Sequence, residues 1–178
     1  VLPPPAITSV SPTSAAAGSP AFTLTVNGSG FASGATAQWN GTALTTTVLS
    51  ATQLVAAVPS TLLLFAGTAQ ITVASGGVTS NFVGFDVTPT ITSLNPSSAT
   101  AGGPAFTLTV NGAGFTAGSV VQWNGTALAT SVISSTQVTA PVLANLIAAP
   151  GTAQVTVLSN TLTTNAVAFT IASGPNIS

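Results

Sequence analysis

The residues best suited to chemistry lie in a heptapeptide, QWNGTAL, that occurs at Gln38–Leu44 and again at Gln122–Leu128. A tryptophan on a β surface can stack on the apolar face of a sugar while neighbouring amides bind its hydroxyls. Trp39 with Gln38, and Trp123 with Gln122, supply those residue types twice. The competing reading is packing. Side chains alternate along a strand, so Trp39 shares a side with Ala35 and Ala37, and Trp123 with Val121, while Gln38 and Gln122 point the other way. That parity sends the indoles inward, where a large aromatic dominates a core, and leaves Asn40-Gly41 to form a hairpin turn with positive φ at both residues.

Composition bounds every other chemistry. The 178 residues include no Lys, Arg, His, Cys, Tyr or Met, and Asp86 is the sole acid. Serine and threonine hydroxyls are plentiful but have no base to activate them, and a carboxylate pair needs two acids. No catalytic residue is assigned, and the chain reads as not an enzyme. Zinc needs several Cys, His or carboxylate ligands and calcium several acidic oxygens, so neither metal nor cofactor is expected. Asp86 reads as a solvated residue near a strand end.

Nucleic acid is excluded as a partner, because phosphates are neutralised by Lys and Arg; anionic membrane surfaces fail the same test. Mean hydropathy is high at +0.67, yet no run approaches the ~18 apolar residues of a spanning helix. The start, VLPPPAITSV, lacks the basic region and small-residue cleavage site of a signal peptide. With a formal charge of −1, solubility rests on hydroxyls, amides and backbone, and chains near zero charge tend to associate.

The elements that must position these residues are organised by an internal repeat. An offset of 84 residues places Ile7 on Ile91, Phe22 on Phe106, Trp39 on Trp123 and Phe85 on Phe169 without a gap. PAFTLTVNGSGF (Pro20–Phe31) matches PAFTLTVNGAGF (Pro104–Phe115), and GTAQITV (Gly67–Val73) matches GTAQVTV (Gly151–Val157). Within a unit the pattern is β: Phe22, Leu24 and Val26 alternate with Thr23 and Thr25, the period of a half-buried strand. Turn residues at short intervals argue for a sandwich. Seven strands are expected in the first unit: near Ile7–Val10, Ala21–Val26, Thr36–Trp39, Thr42–Leu49, Gln53–Val58, Ala69–Ala74 and Val78–Val87. Pro59–Gly67 is expected to make a helical turn that drops Leu62 and a neighbour onto the core.

The order ITSVSP, the Gly-x-Gly-Phe turn, the aromatic-plus-turn hairpin QWNGTAL, the strand TQL…VP and the closing G…ITV…S strands resemble an IPT/TIG domain, an immunoglobulin-like module. The resemblance covers nearly the whole chain, twice. It implies an all-β fold of two tandem immunoglobulin-like sandwiches, with residues 1–6 a linker or strand, 7–87 the first sandwich, 88–90 a linker, 91–171 the second sandwich and 172–178 a linker or strand. In bacteria such modules resemble spacers and adhesive elements of large surface or secreted proteins. Relatives in vertebrate transcription factors contact DNA, but the basic residues that would do so have no match here.

GPNIS (Gly174–Ser178) resembles the segment that joins the two units, TPTITS (Thr88–Ser93). Either the polypeptide is a window of a longer array, or its last strand completes a neighbour by joining an open sheet edge. Both arrangements are head-to-tail, and a heterologous contact that does not close gives a filament. The expectation is a structural subunit of an extracellular bacterial filament, sheath or surface stalk, with copies of itself as partner. The alternative is an adhesin or carbohydrate-binding spacer of a larger secreted protein, with glycans as partner. Asn-x-Ser/Thr triplets at Asn27, Asn40, Asn124 and Asn176 arise readily in a chain rich in Asn-Gly and Thr.

Overall fold

The computed structural model describes residues 3–174. The proposed terminal strand, Gly174–Ser178, lies outside them but for its first residue. The chain divides into two compact units, the first built from Val1–Leu63 and Thr68–Val87, the second from Leu64–Gly67 and Thr88–Ser178.

In the first unit the strands are β1 (Ala6–Ser11), β2 (Ser14–Ala16), β3 (Phe22–Ser29), β4 (Thr36–Trp39), β5 (Thr42–Ala43), β6 (Thr46–Ser50), β7 (Gln53–Val58), β8 (Gly67–Ser75), β9 (Val78–Thr79) and β10 (Val83–Thr88). One sheet has the order β1-β3-β7-β6; the other runs β2-β10-β8-β4-β5, with β9 also pairing β8. The two sheets face one another across a core that includes Leu24, Val26, Trp39, Leu54, Ile71, Val73 and Phe85, all buried. In β3 the buried Leu24 and Val26 alternate with Thr23 and Thr25, as the period-2 pattern requires.

The second unit repeats this plan with β11 (Thr90–Asn95), β12 (Ser98–Thr100), β13 (Phe106–Ala113), β14 (Val120–Trp123), β15 (Thr126–Ala127), β16 (Ser131–Ser134), β17 (Gln137–Val142), β18 (Gly151–Ser159), β19 (Leu162–Thr163) and β20 (Val167–Ala172). Its sheets are β11-β13-β17-β16 and β12-β20-β18-β14-β15, with β19 on β18. Leu108, Val110, Trp123, Val155, Val157 and Phe169 form its buried centre. The fold is all-β, two tandem immunoglobulin-like sandwiches.

Four details differ from the sequence expectation. The segment Thr42–Leu49 is not one strand: β5 pairs β4, whereas β6 pairs β7 in the opposite sheet. The crossing is fixed at Leu44, which is buried, and by the Thr46 hydroxyl, which accepts from the Ala37 N–H at 3.0 Å and donates to the Leu44 carbonyl at 2.8 Å. Val78–Val87 is likewise broken, because the Ser80 hydroxyl accepts from the Val73 N–H at 2.9 Å and donates to the Asn81 carbonyl at 2.7 Å. The opening segment of each unit divides between the two sheets, adding the short β2 and β12; β12 lies parallel to β20. Finally, the 3-10 turn Ser60–Leu63 buries Leu63 rather than Leu62, which is only half-buried. Between the units, β10 ends at Thr88 and β11 begins at Thr90, with Pro89 between them.

Candidate functional site

Each QWNGTAL copy is a hairpin between β4 and β5, or β14 and β15, with Trp39 opposite Thr42 and Trp123 opposite Thr126. Asn40 has φ 49° and Gly41 φ 82°; Asn124 and Gly125 have 49° and 81°. Positive φ at both central residues is the type I′ turn that matches strand twist. The Asn40 side-chain oxygen accepts from the Gln70 N–H at 2.7 Å, and Asn124 does the same with Gln154 at 2.7 Å.

The tryptophans lie inside. Trp39 is 4% exposed and Trp123 3%. Trp39 meets Phe85 at 5.2 Å between ring centroids and 54°, and Trp123 meets Phe169 at 5.0 Å and 54°, geometries favoured by the ring quadrupoles. A ring held this way has no free face for a sugar, so the stacking platform does not form at either tryptophan. Gln38 and Gln122 occupy the opposite side of their strands and are half-buried. Each side-chain oxygen accepts from a cross-strand hydroxyl, Thr72 or Thr156, at 3.1 Å.

Asp86 accepts a 2.6 Å hydrogen bond from the Thr68 hydroxyl; its repeat counterpart is Thr170. Among the described residues, no group of three His, Cys, Asp or Glu side chains converges.

The structure brings together a different set of residues. In the first unit, Ala21–Thr23 at the start of β3, Ala43–Thr45 at the sheet crossing and Ala57–Pro59 at the end of β7 line an open groove of about 490 Å³. Phe22 lines it while stacking on Phe85 at 5.7 Å and 19°, so the groove wall is braced against the core. Thr23, Ala43, Thr45 and Ala57 are exposed along it. No charged residue lines the groove; its chemistry is aliphatic carbon, one aromatic ring, hydroxyls and backbone. The second unit carries Ala129, Pro141 and Leu143 where the first has Thr45, Ala57 and Pro59. Sequence reasoning missed the groove because its residues come from three separated segments, and changes at these positions do not stand out among the many others between the repeats.

The IPT/TIG domain family model matches residues 5–87 and 89–171. No curated protein sequence matches the chain. Among solved structures, one determined with a xylogluco-oligosaccharide is 18% identical with a TM-score of 0.56, and the match covers 94% of this chain and 41% of that one. The Bacteroides ovatus mixed-linkage glucan utilization locus protein SGBP-B, in complex with a mixed-linkage heptasaccharide, is 16% identical with a TM-score of 0.35, covering 90% and 43%. At 18% identity the first likeness is one of fold, and the chain spans less than half the length of either.

Proposed function

We infer the role of this chain from its family: it belongs to the IPT/TIG domain family, one copy in each unit. The reading we favour is a non-catalytic, carbohydrate-binding spacer or adhesive module of a larger extracellular or cell-surface protein. The observation that carries it is the first unit's groove, uncharged and about 490 Å³ in volume, within the range of small-ligand sites. A neutral sugar has apolar C–H faces and a rim of hydroxyls. The Phe22 ring and the methyl groups of Ala21, Ala43 and Ala57 offer the first a surface, and the Thr23 and Thr45 hydroxyls can exchange hydrogen bonds with the second. A structure of like fold, at a TM-score of 0.56, was determined with a xylogluco-oligosaccharide, which makes such oligosaccharides the first ligands to test.

The test is calorimetric titration with xyloglucan and mixed-linkage glucan oligosaccharides on the native chain and on Ala43→Phe and Thr45→Lys variants. Both positions are exposed, so the new side chains fill the groove without entering the core. Weakening of about tenfold or more, roughly 1.4 kcal/mol, is expected from each. Absence of binding at millimolar oligosaccharide, or unchanged affinity in both variants, sinks the reading.

A second reading, a head-to-tail filament subunit, is favoured by one specific observation. The edge strands β6 and β16 carry Leu49 and Ile133, 57% and 59% exposed, at equivalent repeat positions and with no charge on either strand. Natural edge strands are commonly guarded by charge; these carry none, and each interrupts its pairing only at a register irregularity, between Val48 and Ser50 and between Val132 and Ser134. Sedimentation velocity distinguishes the readings: concentration-dependent polymers that vanish in a Leu49→Lys, Ile133→Lys double variant favour assembly, and monomers at high concentration exclude it.

A further inference from the structure

Three Asn-x-Ser/Thr triplets with x other than proline fall among the described residues, and the fold treats them differently. Asn27 lies within β3, paired to both β1 and β7. Its carboxamide is used at both ends: Nδ2 donates to the Ser9 hydroxyl at 3.2 Å, and Oδ1 accepts from Gln53 Nε2 at 2.9 Å. The residue between Asn27 and Ser29 is closed in as well. A Cβ on Gly28 would collide with the Ala6 carbonyl oxygen and would lie 2.6 Å from the Phe31 ring.

Asn40-Gly41-Thr42 and Asn124-Gly125-Thr126 are arranged the other way. All six residues are exposed, and nothing lies within 4 Å of where a Cβ on Gly41 or Gly125 would be. Each carboxamide is anchored through its oxygen alone, to the Gln70 or Gln154 N–H at 2.7 Å. That bond fixes which end of the carboxamide is which, since only the oxygen can accept. It leaves Nδ2 without a protein acceptor among the described residues. A substituent on Nδ2 therefore costs no existing hydrogen bond, whereas one on Asn27 must share Nδ2 with the bond to Ser9, beside two paired strands.

From this geometry we propose that Asn40 and Asn124 are N-glycosylation sites of the folded chain and that Asn27 is not. The donor is an activated sugar, a glycosyl diphosphate. Nδ2 forms a bond to the anomeric carbon as the bond from that carbon to the diphosphate oxygen breaks. The diphosphate leaves with the electron pair, and Nδ2 gives up one proton to a base of the transferase. The threonine hydroxyl two residues on completes the recognised triplet. Attached sugars would hydrate the exposed hairpin tip of each unit in a chain whose formal charge is only −1, supplying by hydroxyls the solubility that charge supplies elsewhere.

The experiment uses the folded full chain, purified from a bacterial cytoplasm, with UDP-glucose and a soluble N-glycosyltransferase chosen because it modifies free peptides spanning each of the three triplets. Site-resolved mass spectrometry is expected to find hexose at Asn40 and Asn124, with one fewer hexose in each of Asn40→Gln and Asn124→Gln. Asn27 is expected to stay unmodified, both natively and in a Ser29→Thr variant that removes the difference between serine and threonine triplets. Failure at either hairpin, or modification of Asn27 at a rate comparable to theirs, overturns the proposal.

Discussion

Asn81 and Asn165 do at the residue scale what a further strand would otherwise do. Asn81 Oδ1 accepts from the Ile7 N–H at 2.9 Å and its Nδ2 donates to the Ile7 carbonyl at 3.0 Å; Asn165 holds Ile91 through the same pair, at 2.8 and 3.1 Å. Ile7 and Ile91 sit in β1 and β11, the edges of their sheets, where backbone groups would lack partners. Asn81→Ala removes both bonds and leaves a partly buried donor and acceptor, which costs about 1–3 kcal/mol for an unsatisfied group. A loss of about 2 kcal/mol in urea denaturation is expected, and the same from Asn165→Ala; a change below about 0.5 kcal/mol would show the clamp to be incidental. Trp39→Ala is expected to be more severe. Truncating a buried tryptophan costs about 3–5 kcal/mol, a large share of the stability of a small domain, so amide exchange in the first unit should rise toward that of an unfolded chain. Retention of native exchange would contradict the burial of Trp39.

At the scale of elements, the approach of β1 to β3 depends on a position with no side chain. A Cβ at Gly28 would collide with the Ala6 carbonyl oxygen, and one at Gly112 with that of Thr90. In both cases the obstacle is backbone, which cannot rotate away. Gly28→Ala should therefore separate the ends of β1 and β3, at about 3 kcal/mol, the upper part of the range for overpacking. Hydrogen exchange of the β1 amides provides the check: protection equal to that of the native chain would refute the argument. This contact also marks what was legible beforehand. Alternation in β3, the Asn40-Gly41 turn and the inward parity of Trp39 are local properties, carried by residues within a few positions of one another, and the sequence displays them directly. The break at Leu44 depends on the Thr46 hydroxyl meeting the Ala37 N–H in the facing sheet. The short β12, Ser98–Thr100, has a single apolar residue, Ala99, too little to mark a strand, and owes its place to a parallel partner, β20. The groove beside Phe22 required three strand ends to meet. Features that depend on such distant pairings leave little trace in a local pattern.

On the scale of the whole molecule, the missing charges make a thermodynamic prediction that differs from that for most proteins. Stability changes with pH only where the folded and unfolded states bind different numbers of protons. No His, Cys, Tyr, Lys, Arg or Glu is present, so the chain lacks the side chains that usually make folding stability depend on pH between 5 and 9. Added sodium chloride has no side-chain ion pair to screen, since the sequence contains no cationic side chain. What remains is apolar burial and hydrogen bonding, and burial is strengthened by sulfate through exclusion from the protein surface. Melting temperatures are therefore expected to stay level from pH 5 to 9 and from low salt to molar sodium chloride, but to rise in ammonium sulfate. For units of this size, 1 kcal/mol corresponds to about 4–8 °C. A shift of that size with pH alone, measured by calorimetry, would mean that a titrating contact supports the fold and that hydroxyls, amides and apolar packing do not suffice.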